Sequence, residues 1–133
     1  MPTLPWRSFR EAEAAREYVV LLSLLQLKHG WRIPGLLRHT VRVMGQLQLT
    51  EGLVGYTLFA QPLAKRFWTL SVWKDEAALA RFVHAQPHAR TMELMTPRLR
   101  LTRFVRWRVK GSELPPSWGD ALERFQIAAD APR

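Results

Sequence analysis

The segment formed by residues 18–27 limits most strongly what this chain can fold into. Its ten residues, YVVLLSLLQL, are apolar at both odd and even positions. Because a β-strand places alternate side chains on opposite faces, this run predicts a strand that is covered on both sides. The run is about half as long as a membrane-spanning helix. We therefore expect no transmembrane segment and no membrane partner.

The remaining hydrophobic patterns predict an α+β fold with the ferredoxin-like order βαββαβ and a C-terminal tail helix. A helix with Pro34 in its first turn is followed by a hairpin, a helix capped by Asp75 and a helical piece that starts at Pro87. The predicted strands are residues 18–27, 52–59, 67–73 and 101–110; the predicted helices are residues 33–48, the segment between Asp75 and Pro87, residues 88–95 and residues 120–127.

The chain of 133 residues is expected to form a single domain. Residues 1–16 are predicted to be an irregular lead-in, residues 17–110 the ferredoxin-like core and residues 111–133 a tail. No cysteine is present, which excludes disulfides, thiolate metal sites and cysteine nucleophiles. The amino terminus lacks a signal-peptide pattern, so a cytoplasmic protein is expected.

The net charge of +9 would attract anionic partners. The basic residues are spread along the chain without a run of like charges, and no nucleic-acid-binding motif is present. An arginine-rich solvated surface explains this charge without a nucleic-acid partner. Nucleic acid is therefore not expected as a partner.

A dimer is predicted from the two faces of the sheet. In the third predicted strand, Phe67 and Trp73 point to one side, whereas Trp68, Leu70 and Val72 point to the other. Helices cover only one face of a ferredoxin-like sheet, so we expect the sheet of a second copy to cover the other. The expected assembly is a homodimeric α+β barrel.

Three segments of this sequence are similar to a known family: GLVG at 52–55, FWTLSVWKDEAALARFV at 67–83 and PHARTM at 87–92. They resemble the antibiotic-biosynthesis-monooxygenase superfamily of dimeric α+β barrels. Within this superfamily the sequence resembles bacterial proteins related to spheroidene monooxygenase, and its ending at 107–125, with LPPSWGDA, also resembles that branch. The resemblance implies oxygenases of several kinds, some without a cofactor and some dependent on haem, alongside members without a known reaction.

One branch of the superfamily, the haem-degrading oxygenases, permits a test by residue. Where those enzymes carry a catalytic tryptophan this chain has Phe82, and where they carry the iron-ligating histidine it has Met92. Both positions depart from the pattern, although His88 lies one helical turn before Met92. The cofactor is therefore left open between none and haem.

The candidate site residues are His88, as an acid, a base or a haem contact, and Trp68, Trp73, Phe82 and Met92 as substrate-binding walls. Each has a structural alternative, since the aromatic side chains suit a core and His88 suits a helix start or an interface. The four histidines have no metal-binding spacing, so no metal is expected.

Two functions follow from these residues. The first is a monooxygenase-like protein that acts on a small aromatic or polyene-like molecule in a pocket between sheet and helices. The alternative is a homodimer without catalysis that binds a small ligand or has only a structural role. The shortage of catalytic side chains favours this alternative.

Overall fold

The computed structural model describes residues 5–86 and 88–130. The strands are β1 (Arg7–Ser8), β2 (Glu17–Leu27), β3 (Leu53–Gln61), β4 (Arg66–Trp73) and β5 (Leu99–Lys110). The helices are α1 (Ile33–Gln48), α2 (Glu76–His84), α3 (His88–Met95) and α4 (Trp118–Asp130). The break predicted at Pro87 lies outside the described residues, but a separate helix does begin at His88.

All five strands pair antiparallel in the order β1-β3-β4-β2-β5. The predicted α+β, ferredoxin-like fold is confirmed. The two-sided apolar pattern of β2 follows from its position, since β4 and β5 flank it and both faces of the sheet are covered.

The prediction of a wholly irregular lead-in is corrected at Arg7–Ser8, which pairs with β3 as an edge strand. The Phe9 N–H donates to the Val54 carbonyl at 2.8 Å and continues this pairing. Gly55 permits the close approach, because a Cβ there would lie 2.3 Å from the Trp6 ring. The polar residues Arg7 and Ser8 do not have the apolar pattern that predicts a strand. Backbone pairing with β3 stabilises this strand instead.

Helices α1 and α2 cover the first face of the sheet, on which Val19, Tyr56 and Trp73 are buried. The predicted cap of α2 is present, since the Asp75 carboxylate accepts the Ala78 N–H at 2.8 Å. Gly52 has a φ of +88°, and a Cβ there would lie 2.4 Å from the Cβ of Ala78. Glycine therefore allows the turn before β3 to pack against α2.

The second face of the sheet is covered by α4 of the same chain. Val20, Leu22, Leu70 and Val72 are wholly buried on this face. The covering side chains of α4 recur at helical spacing and are Trp118, Ala121, Leu122 and Phe125. The prediction that this face is bare in one chain was wrong, because the tail helix folds back over it.

Within the described residues, none of the helices has the length and apolar character required to cross a bilayer.

Candidate functional site

Three of the predicted site residues form a row of aromatic contacts on the first face of the sheet. The ring centroid of Trp73 lies 5.1 Å from that of Phe82, which lies 4.7 Å from that of His88. Trp73 is buried, and its indole N–H donates to the Ser71 hydroxyl at 2.9 Å. The row therefore runs from the core beneath α2 to the half-buried start of α3.

The His88 imidazole is held in one tautomer. Its Nδ1 lies 3.0 Å from the Val83 carbonyl oxygen, and because a carbonyl only accepts, Nδ1 carries the proton. Burial lowers the pKa of His88 below its ordinary value, and the bond to Val83 acts in the opposite direction. A neutral ring with a proton on Nδ1 keeps a lone pair on Nε2, through which His88 can accept a proton.

Gln46 of α1 connects the two helices that carry Phe82 and His88. Its Nε2 donates to the Phe82 carbonyl at 3.3 Å, and its Oε1 accepts the His88 backbone N–H at 2.8 Å. These bonds hold the end of α2 and the first turn of α3 against α1. Sequence reasoning missed Gln46, because its partners are 36 and 42 residues away and no local pattern marks it.

A groove of about 470 Å³ opens between the C-terminal parts of α1 and α2. Its size is that of a small-molecule site. Phe82 and Gln46 both border the groove. Arg81 and Glu51, which carry opposite charges, also line it. The other residues that line it are Gly45, Leu49, Thr50, Ala85 and Gln86.

The groove differs in place from the predicted pocket between sheet and helices. That space is filled by the buried side chains of Leu53, Tyr56, Trp73 and Leu79. Phe82 is the one predicted site residue that borders the groove. The predicted aromatic walls therefore form part of the core, and Phe82 alone connects that core to the groove.

Tyr56 is a second residue that sequence reasoning missed. Its side chain is wholly buried in the same cluster as Trp73 and Phe82, and its ring stacks on Phe9 at 5.8 Å. Among the described residues its hydroxyl has no hydrogen-bond partner. A buried hydroxyl of this kind is unfavourable unless a water or a ligand oxygen bonds to it. Because Tyr56 lies in the middle of an apolar strand, no local sequence pattern marks it as a site residue.

The structure does not bring Trp68 and Met92 into this site. Trp68 lies on the second face of the sheet, where its indole N–H donates to the Gln61 side-chain oxygen at 2.8 Å. Met92 is half-buried in α3 and does not line the groove. Of the five predicted site residues, Trp73, Phe82 and His88 therefore form one row of contacts. Trp68 and Met92 lie elsewhere.

The residues present do not fit a haem ligated by His88. Such a ligand must face a cavity that holds the porphyrin, but among the described residues the groove is bordered by Phe82 and not by His88. Within residues 5–86 and 88–130, no three His, Asp or Glu side chains are placed to hold a metal ion.

No protein-family model and no curated protein matches this chain. Solved structures do match. A conserved protein from Methanosarcina mazei Go1 superposes with a TM-score of 0.63 at 17% identity, over 70% of this chain and 93% of that one. An antibiotic biosynthesis monooxygenase superposes with a TM-score of 0.59 at 16% identity, over 69% of this chain and 96% of that one.

A protein from Lactobacillus acidophilus NCFM, described as a candidate monooxygenase, superposes with a TM-score of 0.60 at 11% identity. The match covers 76% of this chain and half of that one. At these identities the similarity is one of fold. The chain thus has the ferredoxin-like α+β fold found in antibiotic biosynthesis monooxygenase structures.

Proposed function

We propose that this chain is a monooxygenase-like protein that acts on a small aromatic or polyene-like molecule bound in the groove between α1 and α2. The observation that carries this proposal is the position of Phe82. This residue borders the groove, and its ring contacts both Trp73 and His88. Phe82 is 7% exposed, so a flat apolar molecule would contact the small part of this side chain that the groove leaves open. A relation to the branch of spheroidene monooxygenase is part of the same proposal.

The reaction we propose is the oxygenation of an electron-rich phenol by O₂ without a cofactor. His88 does not border the groove, so its Nε2 would accept the phenolic proton through one bridging water, and loss of that proton raises the electron density of the ring. One oxygen atom then joins a ring carbon, and the other leaves as water. The phenol loses four electrons to become a quinone, and O₂ gains the same four.

The test uses 1-naphthol as the probe and measures its binding by fluorescence and the consumption of O₂ by electrode. We expect one O₂ to be consumed for each 1,4-naphthoquinone formed. His88→Gln should lower the rate by about a hundredfold or more, since a general base contributes on that scale. Phe82→Ala should weaken binding, whereas Ile127→Ala, at an exposed position on α4, should behave as the wild type.

Two results would contradict this assignment. Binding of 1-naphthol without any O₂ consumption would favour the alternative of a ligand-binding protein without catalysis. Absence of binding, or equal effects of Phe82→Ala and Ile127→Ala, would show that the groove is not the binding site.

The proposal includes a cytoplasmic homodimer. Because α4 occupies the second face of the sheet, the contact would have to use another surface, and the exposed Phe104 on the outer strand β5 favours that edge. Light scattering at micromolar concentration should give twice the chain mass of 15.5 kDa. A mass near that of one chain, with native circular dichroism, would contradict the dimer.

A further inference from the structure

Three connections meet at the end of the sheet that lies away from Asp75. The Leu27 N–H donates to the Lys65 carbonyl at 2.9 Å, and the Lys28 N–H donates to the Arg98 carbonyl at 3.0 Å. These bonds join the segment after β2, the turn between β3 and β4 and the turn after α3. We call this surface the basic end; it consists of residues 28–32, 62–66 and 96–98.

The basic end carries positive charge without any acid of its own. Its cations are Lys28, Arg32, Lys65, Arg66 and Arg98. No Asp or Glu occurs in residues 18–50, 52–74 or 94–112, so the nearest acid along the chain is Glu93. None of the ion pairs found among the described residues involves these five cations.

The positive field extends onto α1, which also has no acid. Burial and the neighbouring charges of Arg42, Arg98 and Arg38 lower the pKa of His39. An anion at this surface would therefore meet unopposed positive charge.

Large apolar side chains project from the same surface. Trp31 is 67% exposed and Leu63 is fully exposed, each from the middle of its turn. The guanidinium of Arg32 lies 4.0 Å from the centroid of the Trp31 ring. Along α1, Leu37 and Val41 continue the exposed apolar surface one turn apart. Exposed tryptophan and leucine side chains among cations are typical of proteins that lie in a membrane interface.

We propose that the basic end binds the surface of membranes that contain anionic phospholipid. Trp31 and Leu63 enter the headgroup region, and the five cations interact with the lipid phosphates. A membrane fits better than a nucleic acid, because the aliphatic side chain of Leu63 cannot stack with a base as an aromatic ring does. This mode needs no membrane-spanning helix and revises the expectation that the chain has no membrane partner. It does not depend on the proposed oxygenation.

The test is cosedimentation of the full chain with vesicles of phosphatidylcholine alone or with about one third phosphatidylglycerol. We expect binding to the anionic vesicles only, and weaker binding when the salt is raised to about 0.5 M. Lys28→Gln with Lys65→Gln should weaken binding about twenty-five-fold, or about fivefold for each charge. Trp31→Ser with Leu63→Ser, which keeps the charge, should weaken binding by about tenfold or more, because two large apolar side chains no longer leave water.

A matched control separates this surface from the general effect of a basic protein. Arg7→Gln with Arg10→Gln removes the same charge from the β1 segment, which pairs with β3 near its other end. The control variant should bind as the wild type does. Equal weakening by the control pair would show attraction by net charge alone and would overturn the proposal.

Three further results would also overturn it. They are no binding to anionic vesicles at about 0.05 M salt, retention of a single-stranded RNA without vesicle binding, and conversion of a dimer to a monomer by Trp31→Ser. The last result would assign the surface to a second copy of the chain. Circular dichroism of each variant verifies that it is folded.

Discussion

The ring of Phe125 in α4 meets the ring of Trp68 in β4 edge to face, with centroids 4.9 Å apart and planes at 80°. This contact places the tail helix on the sheet face that a ferredoxin-like core leaves open. Wholly buried side chains such as Leu70 and Val72 lie on the same face. Helix α4 therefore covers this face, which would otherwise be exposed to solvent or packed against a second sheet.

Removal of the Phe125 ring should destabilise the protein. We expect Phe125→Ala to lower the free energy of unfolding by about 2 kcal/mol, somewhat below the loss for a fully buried phenylalanine because Phe125 is half-buried. Ile127→Ala, at an exposed position of the same helix, should change it by less than about 0.5 kcal/mol. Urea unfolding measures both, and equal effects would contradict the packing of α4 on this face.

The sequence predicted the parts of the fold that depend on local pattern. Residues 18–27 showed a strand covered on both faces, and Asp75 marked the start of α2; both features are present. Alternation along residues 101–110 likewise matches β5, whose arginines Arg106 and Arg108 are exposed. Periodicity and capping depend on neighbours in the chain, so a single sequence contains this information.

Features that depend on distant contacts were not predictable in this way. The spacing of Trp118, Ala121, Leu122 and Phe125 marks an amphipathic helix, but not the surface on which it packs. The bonds of Gln46 likewise join three helices that only the tertiary fold brings together.

The candidate site has one feature that the sequence could predict and one that it could not. The odd separation of Trp68 and Trp73 in one strand places them on opposite faces, so they could not line the same pocket. That conclusion was available from the sequence. The contact between Phe82 and His88 depends instead on the angle between α2 and α3, which Gln46 helps to fix.

Loss of the Gln46 amide should loosen the site. Gln46→Met removes the bonds to the Phe82 carbonyl and the His88 N–H, and at about 1 kcal/mol each the free energy of unfolding should fall by about 2 kcal/mol. Gln46→Glu keeps the acceptor for His88 and should lose about half as much. Urea unfolding and 1-naphthol binding provide the measurements. Equal stability of Gln46→Met and the wild type would show that the amide does not connect these helices.

The stability of the protein should fall as the solution is acidified. Burial lowers the pKa of His88 in the folded state, whereas the unfolded chain keeps the ordinary value near 6.5. The unfolded state then binds more protons below that pH, so stability is complete above about pH 6.5 and decreases as the pH falls toward the folded pKa. His39, whose pKa is also lowered, acts in the same direction.

The urea midpoint of unfolding, measured between about pH 7.5 and about pH 5, tests this effect. This range lies on both sides of the ordinary histidine pKa of about 6.5. His88→Gln should flatten the dependence, because glutamine does not titrate. His39→Gln, at the other histidine whose pKa is lowered, should flatten the dependence in part. A slope for His88→Gln equal to that of the wild type would contradict a role for the burial of His88.

Replacement of Tyr56 by phenylalanine should not destabilise the free protein. Because the buried hydroxyl has no partner among the described residues, Tyr56→Phe removes an unsatisfied group, and the free energy of unfolding should stay constant or rise by about 1 kcal/mol. Tyr18→Phe is the matched control, since the Tyr18 hydroxyl accepts the Glu13 N–H at 2.8 Å and its loss should lower stability by about 1 kcal/mol. If the two variants lose equal stability, the Tyr56 hydroxyl already has a partner such as a bound water. If Tyr56→Phe retains stability but weakens 1-naphthol binding, the hydroxyl donates to the ligand, and the site extends from the groove into the core.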